Sequence, residues 1–236
     1  METQEEQDTR SASSTSIVYD EEEEKGHKQP ILTVSEIPTL RSLYRSQRLM
    51  QRDQSYAPND VYNRTISFCY YDLTRLEVDA IVNSANSHLK VTRAPNTLNY
   101  AVHKAAGPGL AKETKSKAKV KPGQVELTHG HDLPSAWVIH AVRPQYSGSK
   151  GMGQFNVLTE CYRSALKMAT NYELKKIAFP CLGAGGCHFP SRIAARIALQ
   201  EIREYLDAHS GDFFERIIIC VNSALDEKAY VRYPNM

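Results

Sequence analysis

From Val61 onward the chain alternates short apolar, β-branched runs with stretches whose apolar residues recur every three or four positions. The runs predict strands at Ile66 to Tyr71, Ala80 to Asn83, Val125 to His129, Trp137 to Val142, Lys176 to Leu182 and Arg216 to Val221. The helical periods predict helices near Leu98 to Ala106, Phe155 to Ala169 and Ser191 to Ala208. The last is the clearest: Pro190 and Ser191 suit a helix start, and Ile193, Ile197, Leu199, Ile202 and Leu206 make one apolar stripe. Strands alternating with helices imply a three-layer α/β/α domain around a mixed, largely parallel central sheet. In such sheets ligands sit beyond the carboxyl ends of the strands, where loops run into helix N-termini.

Upstream of Val61 the pattern changes twice. Residues 1–29 are acidic, rich in Ser and Thr and poor in aromatics, so they cannot bury enough apolar surface to offset ordering entropy, and a disordered tail is expected. Residues 30–60 carry Ile37, Leu40, Leu43 and Tyr44 behind Ser35 and Glu36, which predicts a short amphipathic helix inside an ordered N-terminal strap. The remaining 61–236 form the main domain. The formal charge of +2 conceals an asymmetry, because nine acids and three bases fall in the first 29 residues and leave the body at +8. A positive body suits an anionic ligand and equally serves solubility. No apolar run reaches the roughly 18 residues of a membrane span, and the polar, acidic start has no signal-peptide pattern. With five cysteines at no close-pair spacing, an intracellular protein, cytoplasmic or nuclear, with reduced thiols is expected.

Two segments could carry chemistry. In Ile177 to Pro190 an apolar strand runs into Gly183, Ala184, Gly185 and Gly186, then Cys187 and His188. Three glycines in four positions allow positive φ and let successive amides face a phosphate, although a turn needed only for tight packing reads as well on this segment alone. The spacing is neither a Walker loop nor a dinucleotide fingerprint. In the second segment, Asp72 ends one strand and could accept from an amino group, while Asn83 and Asn86 follow the next strand with amides suited to sugar hydroxyls or, alternatively, to turns. Cys187 and His188 are adjacent, and Cys–His catalysis uses residues remote in sequence, so no nucleophile is read there. Cys181, Cys187 and His188 lack the ligands and spacing of a zinc site. Lys112, Lys115, Lys117, Lys119 and Lys121 have no interleaved aromatics, which suits a solvated basic face rather than a nucleic-acid surface. His129, His131 and His140 are read as structural.

Taken together, Asp72-Leu73-Thr74 with Val78 to Asn86, Val102 to Pro108, Leu133-Pro134 with Trp137 to Val142, and Ile177 to Pro190 resemble, in order and near-uniform spacing, the signatures of the macro domain family, in particular its MacroD-type ADP-ribosyl hydrolase branch. The resemblance implies a three-layer macro domain and a site for ADP-ribose. By position, Asp72 matches the aspartate that accepts from the adenine amino group, with the Leu73 backbone nearby. Asn86 matches the asparagine at the distal ribose, with Asn83 beside it, and Gly183, Ala184, Gly185 and Gly186 match the loop whose amides hold the diphosphate.

The sequence also departs from that branch. Where the hydrolases carry a run of glycines and then Val-Asp-Gly, this chain has Arg93 to Tyr100, so that Pro95 supplies no amide and Asn99 stands in place of the aspartate. An amide side chain cannot take up a proton near neutral pH. Cys187 replaces an aromatic against the distal ribose, His188 replaces a glycine, and Asn222 stands about where an aromatic stacks on adenine. The expectation is therefore a monomeric protein that recognises ADP-ribose or ADP-ribosylated protein, with hydrolase activity weakened or lost and with no cofactor, metal, membrane or nucleic acid. Two alternatives stay open: an active hydrolase that removes ADP-ribose from protein carboxylates, with Asn86 orienting water, and a scaffold that binds no nucleotide.

Overall fold

A computed structural model describes residues 29–49, 57–148, 152–209 and 211–231. The acidic tail, apart from Gln29, and the stretch 50–56 of the strap lie outside the described residues. Strand β1 (Leu32–Thr33) and helix α1 (Leu40–Arg45) open the structure, and α2 (Asp60–Thr65), capped by the Asn59 side chain, leads into β2 (Ile66–Tyr70). Then follow β3 (Leu76–Glu77), β4 (Ala80–Ala85), α3 (Leu98–Lys115), β5 (Val125–His129), β6 (Trp137–Val142), α4 (Gly153–Asn171), β7 (Lys176–Pro180), α5 (Ser191–Ala208), β8 (Arg216–Val221) and α6 (Ala224–Val231).

Six strands form one sheet in the order β2-β8-β7-β4-β6-β5. The first five are parallel and β5 closes the edge antiparallel to β6, so the sheet is mixed and largely parallel as the pattern implied. Both faces are covered, which is why β8 reads as an unbroken apolar run: Ile217, Ile219 and Val221 enter one core with α4, α5 and α6, while Ile218 and Cys220 enter the other beneath α3. The strap belongs to the same body, since Leu40 and Leu43 join the first core and β1 pairs with β3. At the sheet's lower edge the Asp79 carboxylate accepts from the amides of Lys175 and Lys176 at 2.7 and 2.8 Å, fixing β4 against β7.

Four helices differ from the expected pattern. The helix expected to end at Ala106 does break there, at Gly107 with φ 73°, but Pro108 starts a further stretch that runs to Lys115. Helices α2 and α6 carry too few apolar repeats to be read from period. In α5 the buried stripe is Ala194, Ala195, Ala198, Leu199, Ile202 and Leu206, with Ile193 and Ile197 only half-buried, because small side chains let the helix approach the sheet.

Candidate functional site

Because β2, β8, β7, β4 and β6 are parallel, their carboxyl ends share one edge, and the sheet order fixes what stands beside what. Asp72 follows β2 and Asn222 follows β8, neighbours through the Tyr70 and Val221 register; the glycine loop follows β7, Asn86 follows β4 and Arg143 follows β6. At roughly 4.8 Å per strand, the line from Asp72 past the glycine loop to Asn86 spans about 14 Å.

Asp72 is exposed and caps a 3-10 turn (Leu73–Arg75): its Oδ1 accepts from the Thr74 amide at 2.9 Å and the Thr74 hydroxyl at 2.8 Å. Leu73 turns its side chain into the core and leaves its backbone at the strand end. Gln29, the last residue of the expected disordered tail, is instead placed with Pro30 of the strap directly against this corner, because Asp72, Arg75 and Tyr71 bond to the two residues. The Asp72 amide donates to Gln29 Oε1 at 3.0 Å, Arg75 Nε donates to the Gln29 carbonyl at 2.7 Å, and the Tyr71 hydroxyl donates to the Pro30 carbonyl at 2.8 Å.

The glycine loop is shaped by two positive-φ residues, Gly183 at 90° and Gly185 at 62°. It closes on itself through His188 N donating to Gly185 O and Phe189 N donating to Gly183 O. Gly183 is packed, and a Cβ there would meet Leu158 at 3.0 Å and Phe189 at 3.2 Å. Gly185 and Gly186 instead face open space and are exposed, and among the described residues their amides have no acceptor. Two unpartnered amides at an exposed strand end are donors open to an acceptor from outside the chain. Ala184 is half-buried between the packed and the open glycines.

Cys187 does not present its thiol as a nucleophile. It is buried in the main core, and burial pushes its pKa up while the neighbouring Arg143 guanidinium pulls the other way. His188, at φ 62°, is exposed. Asn222 is exposed at the end of β8, beside the strand that Asp72 follows.

On the other side of the loop, Asn86 is half-buried and holds a turn: its Oδ1 accepts from the amides of His88 and Lys90, and its Nδ2 donates to the Lys90 carbonyl at 2.6 Å. Asn83 must be moved away from the site. Strand β4 runs on to Ala85, so Asn83 lies inside it, fully buried, with its amide against His140 Nδ1 at 3.1 Å, and His140 Nε2 meets the Thr128 hydroxyl at 2.9 Å. This polar ladder crosses three strands beneath α3, and burial lowers the His140 pKa to about 3.

Asn99 sits in the first turn of α3, 2% exposed, where its Oδ1 accepts from the Thr92 amide at 2.8 Å and its Nδ2 has no partner. Together with the Thr92–Thr97 hydroxyl contact it fastens the loop that replaces the expected glycine run. One helical turn further on the same face, His103 is buried; neither ring nitrogen is hydrogen-bonded in good geometry, and burial lowers its pKa against a counter-pull from the Leu89 backbone. The sequence reading missed His103, although its i+4 spacing from Asn99 was available as a signal. Gln29 was missed as well, with no local signal, since its partner lies 43 positions away.

Other features stand apart from this edge. The lysine run is mostly exposed, with Lys117 paired to Glu126 at 2.7 Å, and His129 and His131 share the Glu113 carboxylate. Open grooves of about 410 Å³, between α4 and the start of β5, and about 460 Å³, between α1 and α2, include none of the residues matched to an ADP-ribose site. Among the described residues no three His, Cys, Asp or Glu side chains are grouped to hold a metal ion, and no helix is long and apolar enough to cross a membrane.

Comparison with known proteins places these features in company. The family model described as Macro domain matches residues 82–198. The chain is 34% identical over 197 residues to the ADP-ribose glycohydrolase MACROD1 of Bos taurus, covering 84% of this chain and 59% of that protein. It is 36% identical over 159 residues to the Macro domain-containing protein RSc0334 of Ralstonia nicotianae, covering 67% of this chain and 88% of that protein. Among solved structures, the Trypanosoma brucei macrodomain in complex with ADP superposes with a TM-score of 0.72 at 28% identity, over 88% of this chain and 78% of that one. The same macrodomain in complex with ADP-ribose gives 0.71, over 86% and 76%.

Proposed function

Because this chain belongs to the macro domain family, we propose that it recognises ADP-ribose, free or attached to protein, with hydrolase activity weakened or lost. The observation that carries the reading is the order of groups along the strand ends. An acceptor at Asp72, open amides at Gly185 and Gly186 and a polar side chain at Asn86 follow one another as amino-bearing base, diphosphate and distal sugar do in the ligand. Solved relatives that hold ADP and ADP-ribose support it. The curated MACROD1 relative is a glycohydrolase, but this chain spans 59% of that protein's length.

The loss of activity rests on Asn99. A general base must bind and release a proton near neutral pH, and a carboxamide does neither. Its oxygen already accepts from the Thr92 amide, which ties the side chain to the preceding loop. Pro95 further removes one amide from the loop that would face the sugar. Asn86 acts here as a turn former as much as a ligand group.

One observation favours the second reading, an active hydrolase: His103 is buried one turn from Asn99 without a well-formed hydrogen bond, and burial lowers its pKa, which favours the neutral ring that can accept a proton. A single-turnover assay on protein carrying ADP-ribose on a carboxylate separates the two. Release no faster than the uncatalysed background is expected; release that disappears in His103→Ala would establish the hydrolase instead.

A further inference from the structure

Gln29 lies outside the segments that resemble the family, yet it touches the residue assigned to the base. Its contact with Asp72 fixes more than position. The Asp72 amide is a donor and can be satisfied only by an acceptor, so Gln29 must present its oxygen to it, as the 3.0 Å contact to Oε1 has it. The side-chain NH2 then points away from the Asp72 backbone and, among the described residues, has no acceptor. The Gln29 backbone cannot drift, because Arg75 holds its carbonyl at 2.7 Å and Tyr71 holds that of Pro30 at 2.8 Å.

Asp72 is arranged in a complementary way. Its Oδ1 accepts twice from Thr74, which leaves Oδ2 as the acceptor for a ligand. A carboxylate oxygen and an amide NH2, held next to each other on one exposed corner, match a 6-aminopurine edge, where an amino donor adjoins a ring-nitrogen acceptor. We propose that Gln29 is a base-recognition residue, donating through Nε2 to a ring nitrogen of adenine while Asp72 accepts from its amino group. The inference rests on the ADP-ribose reading above and adds a second hydrogen bond to the base, supplied by the segment that precedes the domain. It gives this chain a polar hold on adenine at the corner where Asn222 offers no aromatic ring for stacking.

The test is a calorimetric titration of the full chain and of Gln29→Glu and Gln29→Met with ADP-ribose, AMP and ribose 5-phosphate. In Gln29→Glu a carboxylate oxygen can still accept from the Asp72 amide, so the strap stays anchored while the donors are lost; Gln29→Met removes both functions without adding charge. Both variants are expected to bind AMP and ADP-ribose about five- to tenfold more weakly, the weight of one hydrogen bond. Ribose 5-phosphate, which has no base, is expected to bind all three proteins alike. With 1-deaza-AMP or 7-deaza-AMP, whichever lacks the contacted nitrogen, the difference between wild type and variants should vanish. Equal affinities, tighter binding in the variants, a loss shared with ribose 5-phosphate, or a loss that survives in both deaza analogues would each overturn the assignment. A wild-type protein that binds no ADP-ribose would instead overturn the functional reading beneath it.

Discussion

Asp72 uses its two carboxylate oxygens differently, and substitutions can separate them. Asp72→Asn keeps an oxygen to cap the 3-10 turn but replaces the ligand-facing acceptor by a donor, so stability should stay near wild type while ADP-ribose affinity falls about tenfold. Asp72→Ala loses the cap as well and should cost about 1 kcal/mol in urea denaturation besides the affinity. Asn99 invites the reverse experiment. Asn99→Asp retains an oxygen for the Thr92 amide and places a carboxylate oxygen where an unpartnered Nδ2 now stands, so release of ADP-ribose from modified protein should rise above the wild-type level in a single-turnover assay. The two asparagines near the end of β4 show what was and was not legible at this scale. Both could be read as strand-end amides, with the strand expected over Ala80 to Asn83. The structure extends it to Ala85, and Asn83 then falls on the buried face toward His140. Burial of a polar residue by a partner 57 positions away leaves no local trace in the chain.

At the scale of elements, the glycine loop divides its three glycines between structure and ligand. Gly183 is required by packing, while Gly186 has an ordinary φ and open space around it, so Gly186→Val should fold with stability within about 0.5 kcal/mol of wild type. Its side chain would enter the open space at the loop that holds the free amides, and ADP-ribose binding should weaken by more than about tenfold. If binding is unchanged, the loop is a packing turn and not the anion site. Most strands and the three long helices were legible because burial on both faces, or on one stripe, leaves a period in the sequence. The loop over residues 86–97 was not. Its shape depends on Thr92, Thr97 and Asn99 bonding to one another, a matter of side-chain geometry rather than period. The contact of Gln29 with Asp72 belongs to the same class, since a glutamine ahead of the first apolar repeat carries no pattern of its own.

For the whole molecule, the buried ladder of Asn83, His140 and Thr128 makes stability depend on pH in a definite direction. An unfolded histidine titrates near its ordinary value of about 6.5, whereas burial holds folded His140 to about 3. Above pH 6.5 both states are neutral there and the residue adds no pH dependence. Below it the unfolded chain takes up the proton and the native protein does not, so stability falls as pH drops toward 3, by about 2 kcal/mol between pH 6.5 and 5. His103, also lowered by burial, adds to the loss as pH falls below about 6.5. Urea denaturation at pH 7 and pH 5 should show this decline, and His140→Gln should flatten it. The sheet order that creates the ladder also aligns Asp72, the glycine loop and Asn86, and that alignment is the central claim. Its most direct test is calorimetric titration of the full chain with ADP-ribose, with AMP and ribose 5-phosphate as controls. Micromolar binding that needs both base and diphosphate is the expected result; no heat at millimolar ADP-ribose would contradict it.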